Sequence, residues 1–269
     1  MNSTFKAACG QFQPEFGETA KNIRRMTKIV RAVQADLIVF PELCTSGYEL
    51  RNREEVRSLA LNIDSSEEFR LLKSLAKEMN SHIVFGFPEI SGSKLFNSSA
   101  LIEPNGTVTP YRKLHLFDRE KNIFDPGEEV PPVIDTAIGK IGLMICFDWI
   151  FPEVARSLAL RGSQIICHPS NLVLTFCQRA MFARSVENGV FTMTCNRIGS
   201  ETRTDRTLTF TGASQILSNR GVTMAQASPD SEEVISAEID LSQAVNKMIT
   251  AKNNLFEDRR TEMYTSLWK

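Results

Sequence analysis

A chain of 269 residues with 42% hydrophobic and 23% charged residues has the composition of a soluble globular protein with ample sequence for a sizeable core. A net charge of −1 without blocks of like charge points to no nucleic-acid or membrane partner. No apolar run nears the roughly 20 residues that a membrane span needs, and residues 1–12 have no signal-like apolar stretch.

Phe5 to Phe12 suits an opening strand. Glu18 to Val33 sets Ile23, Met26, Ile29, Val30 and Val33 at helical spacing, so one face packs and the Lys/Arg face is wet. Leu37 to Phe40 is a short buried strand stopped by Pro41, with Glu42 directly after it; strand, helix and strand imply a right-handed crossover and a parallel pair. Glu67 to Met79 is a second amphipathic helix, and His82 to Phe87 a strand closed by Pro88. Glu103-Pro104-Asn105-Gly106 joins Ser98–Ile102 to Thr107–Leu114 as a hairpin, with Lys113 at the end of its second arm. Lys121 to Pro132 reads as loop.

Val133 to Thr136 and Ile141 to Cys146 form a further hairpin, followed by a helix from Pro152 to Leu160 that Arg161-Gly162 stops. Ser163 to His168 is a strand, Phe176 to Asn188 a helix, and Val190 to Asn196 a strand. A hairpin around Asn219-Arg220-Gly221 and a strand from Val234 to Ile239 complete the set. Residues 241–269 read as a short helix plus an extended tail. With no repeat, linker or low-complexity tract, residues 1–269 read as one α/β domain.

Six cysteines are scattered without C-x-x-C spacing and read as reduced thiols of a cytoplasmic protein. Three histidines, at 82, 115 and 168, are too dispersed for a zinc site. Three polar residues stand just past apolar strands: Glu42, Lys113 and Cys146. Ligands of open α/β sheets bind beyond the carboxyl ends of strands, so the three could converge on one pocket, though position after a strand alone adds little. Taken singly, each has a plainer reading: a buried structural cysteine, a helix-capping glutamate, a solvated lysine.

Their surroundings resemble the carbon–nitrogen hydrolase (nitrilase) superfamily over nearly the whole chain. The resemblance rests on Phe40-Pro41-Glu42, Gly47-Tyr48, Lys113-Leu114-His115-Leu116-Phe117, Cys146-Phe147-Asp148 and Phe151-Pro152-Glu153. It continues through His168-Pro169-Ser170-Asn171, Arg184 to Asn188, and Asn196-Arg197-Ile198-Gly199, in the family's order. It implies a four-layer αββα sandwich of two mixed sheets, in homodimers or higher homo-oligomers with the tail 241–269 reaching the partner. It also implies Cys146 as nucleophile, Glu42 as general base and Lys113 as oxyanion stabiliser. Glu120 matches the family's second glutamate, ahead of Asp118 and Asp125, and the Phe147 N–H is the expected second oxyanion donor. Tyr48, Phe147 and Asn171 are expected to line the substrate site.

Charge supports that division of labour. A lysine about 4 Å from a thiolate stabilises it by roughly 4 kcal/mol at an effective dielectric near 20, and a glutamate at similar distance opposes it equally. Cys146 is therefore expected to rest as a thiol and to need Glu42 during attack. No metal or organic cofactor is required. Histidines 115 and 168 are expected in structural roles, Cys44 as pocket wall, Cys167, Cys177 and Cys195 in packing, Glu187 as a hydrogen-bonded support, and Arg156 and Arg184 as helix braces that could also meet a charged substrate.

The leading expectation is a hydrolase of small linear amides or N-carbamoyl compounds. Cys146-Phe147-Asp148 resembles amidase branches more than the Cys-Trp-Glu of many nitrilases. The alternatives are an aliphatic nitrilase and, more remotely, a catalytically silent binding protein on the same fold.

Overall fold

The structure is a computed structural model that describes residues 4–268. In chain order it has β1 (Thr4–Gln11), α1 (Thr19–Val33), β2 (Leu37–Val39), α2 (Arg53–Leu59), α3 (Glu67–Met79), β3 (His82–Ser91), β4 (Lys94–Ile102), β5 (Val108–Arg112) and the single turn α4 (Glu120–Ile123). The second half adds β6 (Val133–Thr136), β7 (Gly139–Leu143), α5 (Pro152–Leu160), β8 (Ile165–Pro169), α6 (Cys177–Asn188) and β9 (Phe191–Cys195). After these come the small pair β10 (Ser200–Glu201) and β11 (Leu208–Thr209), then β12 (Gln215–Leu217), β13 (Thr223–Gln226) and β14 (Glu233–Asp240).

The strands form two six-stranded sheets, ordered β14-β1-β2-β3-β4-β5 and β13-β12-β9-β8-β7-β6. Each holds three parallel strands (β1, β2, β3 and β7, β8, β9) flanked by antiparallel ones, so both are mixed. Side chains alternate across a strand, and the first sheet sorts accordingly. Ala7, Cys9, Leu37, Val39, Val84 and Leu101 pack into one cluster with the second sheet, while Ala8, Ile38, Ile83, Phe85 and Ala100 face the buried stripes of α1 and α3. The Cys9 and Cys195 thiols contact one another across the gap between the sheets. On the far side, α5 and α6 cover the second sheet through Val154, Ala155, Leu158 and Met181. The result is the expected αββα sandwich.

The helix faces follow their sequence period. Ile23, Met26 and Val30 of α1, and Phe69, Leu72, Leu75 and Ala76 of α3, are the buried positions. Both helices end on a left-handed residue, Gln34 and Asn80, whose N–H groups bond back to the last turn.

Several local expectations need correction. β3 runs through Pro88 to Ser91, because the missing proline N–H would point away from β4, to the side where Leu61 needs only the Pro88 carbonyl (2.8 Å). The strand expected to reach Cys146 ends at Leu143, and Cys146–Ile150 is a 3₁₀ turn. The stretch 53–59 is helical, capped by Asn52, whose side chain accepts from the Glu55 N–H. Glu120 to Ile123 is a helical turn that runs into the stretch expected as loop from Lys121. In place of a short helix and extended tail, the last segment has 3₁₀ turns at Leu241–Ala244, Thr261–Met263 and Thr265–Trp268 and a small strand pair, Met248–Thr250 with Asn253–Asn254. No helix among the described residues is long and apolar enough to cross a membrane.

Candidate active site

Glu42 lies in the tight turn after β2, where Leu43 is left-handed (φ 45°) and accepts the Ser46 and Gly47 N–H groups. That turn presses on β3: a Cβ at Gly86 would stand 2.5 Å from both Glu42 Cα and Leu43 N. Only glycine allows the approach. Lys113 leaves the end of β5, pinned by its N–H to Asn97 O (2.9 Å) and by the Gly127 N–H to its own carbonyl (2.9 Å).

The lysine ammonium lies 2.6 Å from Glu42 Oε1 and 2.9 and 2.8 Å from Glu120 Oε1 and Oε2. All three side chains are buried. The carboxylates are themselves supported: Asn97 Nδ2 donates to Glu42 Oε1 (2.7 Å), while the Tyr48 hydroxyl (2.7 Å) and the Phe117 N–H (3.2 Å) donate to Glu120. Glu42 Oε2 has no partner among the described residues. A buried charge group this compensated is tolerable; removing one member would leave uncompensated charge.

Cys146 opens the 3₁₀ turn with φ 39°, a left-handed conformation that costs a β-substituted residue about 1–3 kcal/mol. The elbow is held from two directions. His168 Nε2 lies 2.9 Å from the Cys146 carbonyl, and the Asn171 N–H bonds the thiol. A carbonyl can only accept, so His168 Nε2 carries the hydrogen and Nδ1 takes the Thr194 hydroxyl (3.1 Å).

Burial pushes the Cys146 thiol well above its ordinary value; Glu42 adds to the rise, Lys113 opposes it and Glu120 adds further. Burial also raises Glu42, against the lowering effect of Lys113. Burial alone would depress Lys113, but Glu120 and Glu42 outweigh it and raise its pKa. With one ammonium between two carboxylates, a resting thiolate would bring the cluster to −2 in a dry site, so the cysteine rests protonated.

The sequence candidates converge. Tyr48 touches Glu120 and sets its ring edge on Phe210 (5.8 Å). The Phe147 ring sits between those of Phe117 (5.0 Å) and Phe151 (5.5 Å). Asn171 is buried beside Cys146 with both side-chain amide atoms unpartnered among the described residues. A small pocket opens on the Tyr48–Glu120 side, walled by Phe117, Ile123 and Arg206.

Other candidates lie apart. Asp118 is engaged by Arg206, and Asp125 by Arg53 and the Leu95 N–H. Cys44 packs against Gly86 O (3.4 Å) and Met26, with its thiol pushed up to about 12 by burial. Arg184 bonds Trp149 O (3.1 Å) and Glu187 (3.0 Å), and Arg156 bonds Glu187 O (2.7 Å), so both brace helix ends.

Three residues to which sequence reasoning gave no role belong to the surroundings of the site. Asn97 was hidden in an ordinary strand. Arg197 is wholly buried, ion-paired to Glu201 and 4.1 Å over the Phe210 ring. Glu201 in turn accepts the Tyr48 (3.1 Å) and Glu49 (2.6 Å) N–H groups, holding the Tyr48 loop. The Asn196-Arg197 motif was the available signal for this pair.

Sandwich and sequence together define the class. A model of the carbon–nitrogen hydrolase family matches residues 6–246, and the chain belongs to that family, within the nitrilase superfamily of hydrolases. Among its relatives, a nitrilase of Pyrococcus abyssi is 42% identical over 262 residues, covering 96% of this chain and 98% of that protein. An N-carbamoylputrescine amidase of Arabidopsis thaliana is 31% identical, covering 90% of this chain and 87% of that one. The solved structure of a carbon–nitrogen hydrolase from Helicobacter pylori superposes with a TM-score of 0.89 at 26% identity, covering 100% of this chain and 99% of that one.

Proposed function

We propose that this hydrolase cleaves carbon–nitrogen bonds in small linear amides or N-carbamoyl compounds through a thioester on Cys146. The observation that carries this reading is the buried Lys113 ammonium bridging Glu42 and Glu120 beside a cysteine at a strained elbow.

In the proposed cycle Glu42 takes the thiol proton through its free Oε2 as sulfur attacks the carbonyl carbon. Protonation removes the charge with which Glu42 holds Lys113, so an ammonium donor is released as the oxyanion forms. That oxyanion rests on Lys113 and the Phe147 N–H, a preorganised donor being worth about 3–4 kcal/mol. Glu42 then protonates the departing nitrogen as the C–N bond breaks. It next activates the water that attacks the thioester, and the acid and the thiol are released. Glu120, tied down by Tyr48, keeps Lys113 in place. No metal or organic cofactor is needed, and a reducing cytoplasmic setting suits six free cysteines among the described residues.

The second reading is a nitrilase, favoured by the name of the 42% identical relative. The same groups would form a thioimidate that is hydrated before ammonia leaves. We further propose a homodimer using the segment 241–269, in which Val245, Ile249 and Met263 stand exposed; light scattering tests this.

Intact mass spectrometry during turnover of an amide and nitrile panel tests both chemistries. An acyl adduct on the wild-type protein, absent from Cys146→Ala, is expected. Turnover of any panel member by Cys146→Ala would end the reading.

A further inference from the structure

Resting on the roles just proposed for Lys113 and Cys146, we propose that Asp148 is a positioning residue that fastens the lysine segment to the cysteine elbow. Its carboxylate is fully buried and meets four donors. Oδ2 accepts the Tyr111 hydroxyl (2.8 Å) and the Ile145 N–H (2.9 Å). Oδ1 accepts the His115 N–H (3.3 Å) and lies 2.8 Å from His115 Nδ1.

The placement of those donors sets this apart from an ordinary turn cap. Tyr111 stands two residues before Lys113 and His115 two after it; Ile145 precedes Cys146 and Asp148 follows two residues later. Tyr111 belongs to β5 of the first sheet, whereas the elbow extends β7 of the second. One carboxylate therefore spans the two sheets and brackets both functional side chains. The His115 ring is stacked on Phe151 (centroids 3.8 Å, 20° apart), which fixes the orientation of its Nδ1.

The chemistry demands a carboxylate. It is acceptor-only at both oxygens, whereas an asparagine amide accepts at one atom and turns its NH₂ toward donors on the other side. Bonds to the charged group also hold the left-handed Cys146 backbone in a conformation it would otherwise leave.

The test compares Asp148→Asn, Tyr111→Phe, the double variant and Cys146→Ala in steady-state kinetics and in thiol alkylation by iodoacetamide. A misplaced reacting group costs up to about 10²-fold in rate, so Asp148→Asn should lower kcat about 10²-fold with KM changed less than about twofold. Tyr111→Phe removes one hydroxyl from a buried site and should lower kcat about tenfold, with slower alkylation of Cys146 in both variants. Since the two changes share the Tyr111–Asp148 hydrogen bond, and Tyr111→Phe otherwise gives up only a long bond from the Leu114 N–H (3.4 Å), the double variant should fall little further than Asp148→Asn alone. If Asp148→Asn does not fold, Tyr111→Phe carries the test. Wild-type kcat in Tyr111→Phe, a loss confined to KM, or losses that multiply in the double variant would overturn the inference while an inactive Cys146→Ala upheld the nucleophile. Turnover by Cys146→Ala would instead sink the underlying reading.

Discussion

Lys113 has three hydrogens to give and three carboxylate oxygens within 2.9 Å, so its ammonium is fully committed at rest. Its commitment explains why Glu42 is the group whose titration should be visible in kinetics. Burial raises the Glu42 pKa above the ordinary glutamate value of 4.5, net of the lowering by Lys113. A base works only when deprotonated, so kcat/KM should fall as pH drops through that raised pKa, with its acid limb above 4.5. Glu42→Gln removes the proposed base and should reduce kcat by roughly 10²–10⁴-fold. A pH–rate profile with its acid limb at or below 4.5, or near-normal turnover by the variant, would contradict the role given to Glu42.

The hairpin of β10 and β11 shows how one small element supports the site from outside. Its Glu201 pairs with the buried Arg197 and accepts two N–H groups of the Tyr48 loop, so it links Tyr48, and through Tyr48 the carboxylate of Glu120, to the second sheet. Taking one partner from a buried pair leaves a desolvated charge, at a cost of about 3–5 kcal/mol. Glu201→Ala should lose that much in urea denaturation. Glu128→Ala, which breaks the exposed pair with Lys94, should lose at most about 1 kcal/mol. Equal losses would mean that Arg197 finds another counter-charge. The hairpin also sits where ion pairs from Arg119 to Asp205 and from Arg206 to Asp118 connect it to the segment carrying Glu120.

Across the whole molecule, acid stability depends on a neutral histidine, His168, which ties β8 to Thr194 of β9 and to the Cys146 elbow. Burial lowers the His168 pKa from 6.5 to about 4, so the unfolded chain takes up a proton at higher pH than the folded one. Its contribution to stability is fully present above about pH 6.5, and is lost as pH falls toward 4, amounting to about 3 kcal/mol. Burial lowers His82 as well, with the same sign, whereas the raised Glu42 acts in the opposite direction. Urea midpoints measured from pH 7 to pH 4.5 should therefore fall more steeply in the wild type than in His168→Gln. Parallel curves would remove His168 from the account.

The faces of α1 and α3, the crossover from β1 to β2 and the motif residues could all be read from the chain, because helical and strand periods are local properties of sequence. Glu42, Lys113 and Cys146 were legible as strand-end candidates for the same reason. Their convergence was not: Lys113 meets a carboxylate 71 positions away, a separation that only the packing of two sheets can close. Packing also decided that β3 could carry Pro88 past the end of β2 and that Cys146 would leave its strand for a left-handed elbow. It likewise made partners of the site out of Asn97, unremarkable in its strand, and of Asp148 and Arg197, whose motifs carried no stated role. Sequence alone determined which chemical groups were available and which segments would bury a face. Tertiary structure decided which groups share one dry cavity, because burial and distance set both their pKa values and their contacts, and neither quantity is carried by neighbours along the chain.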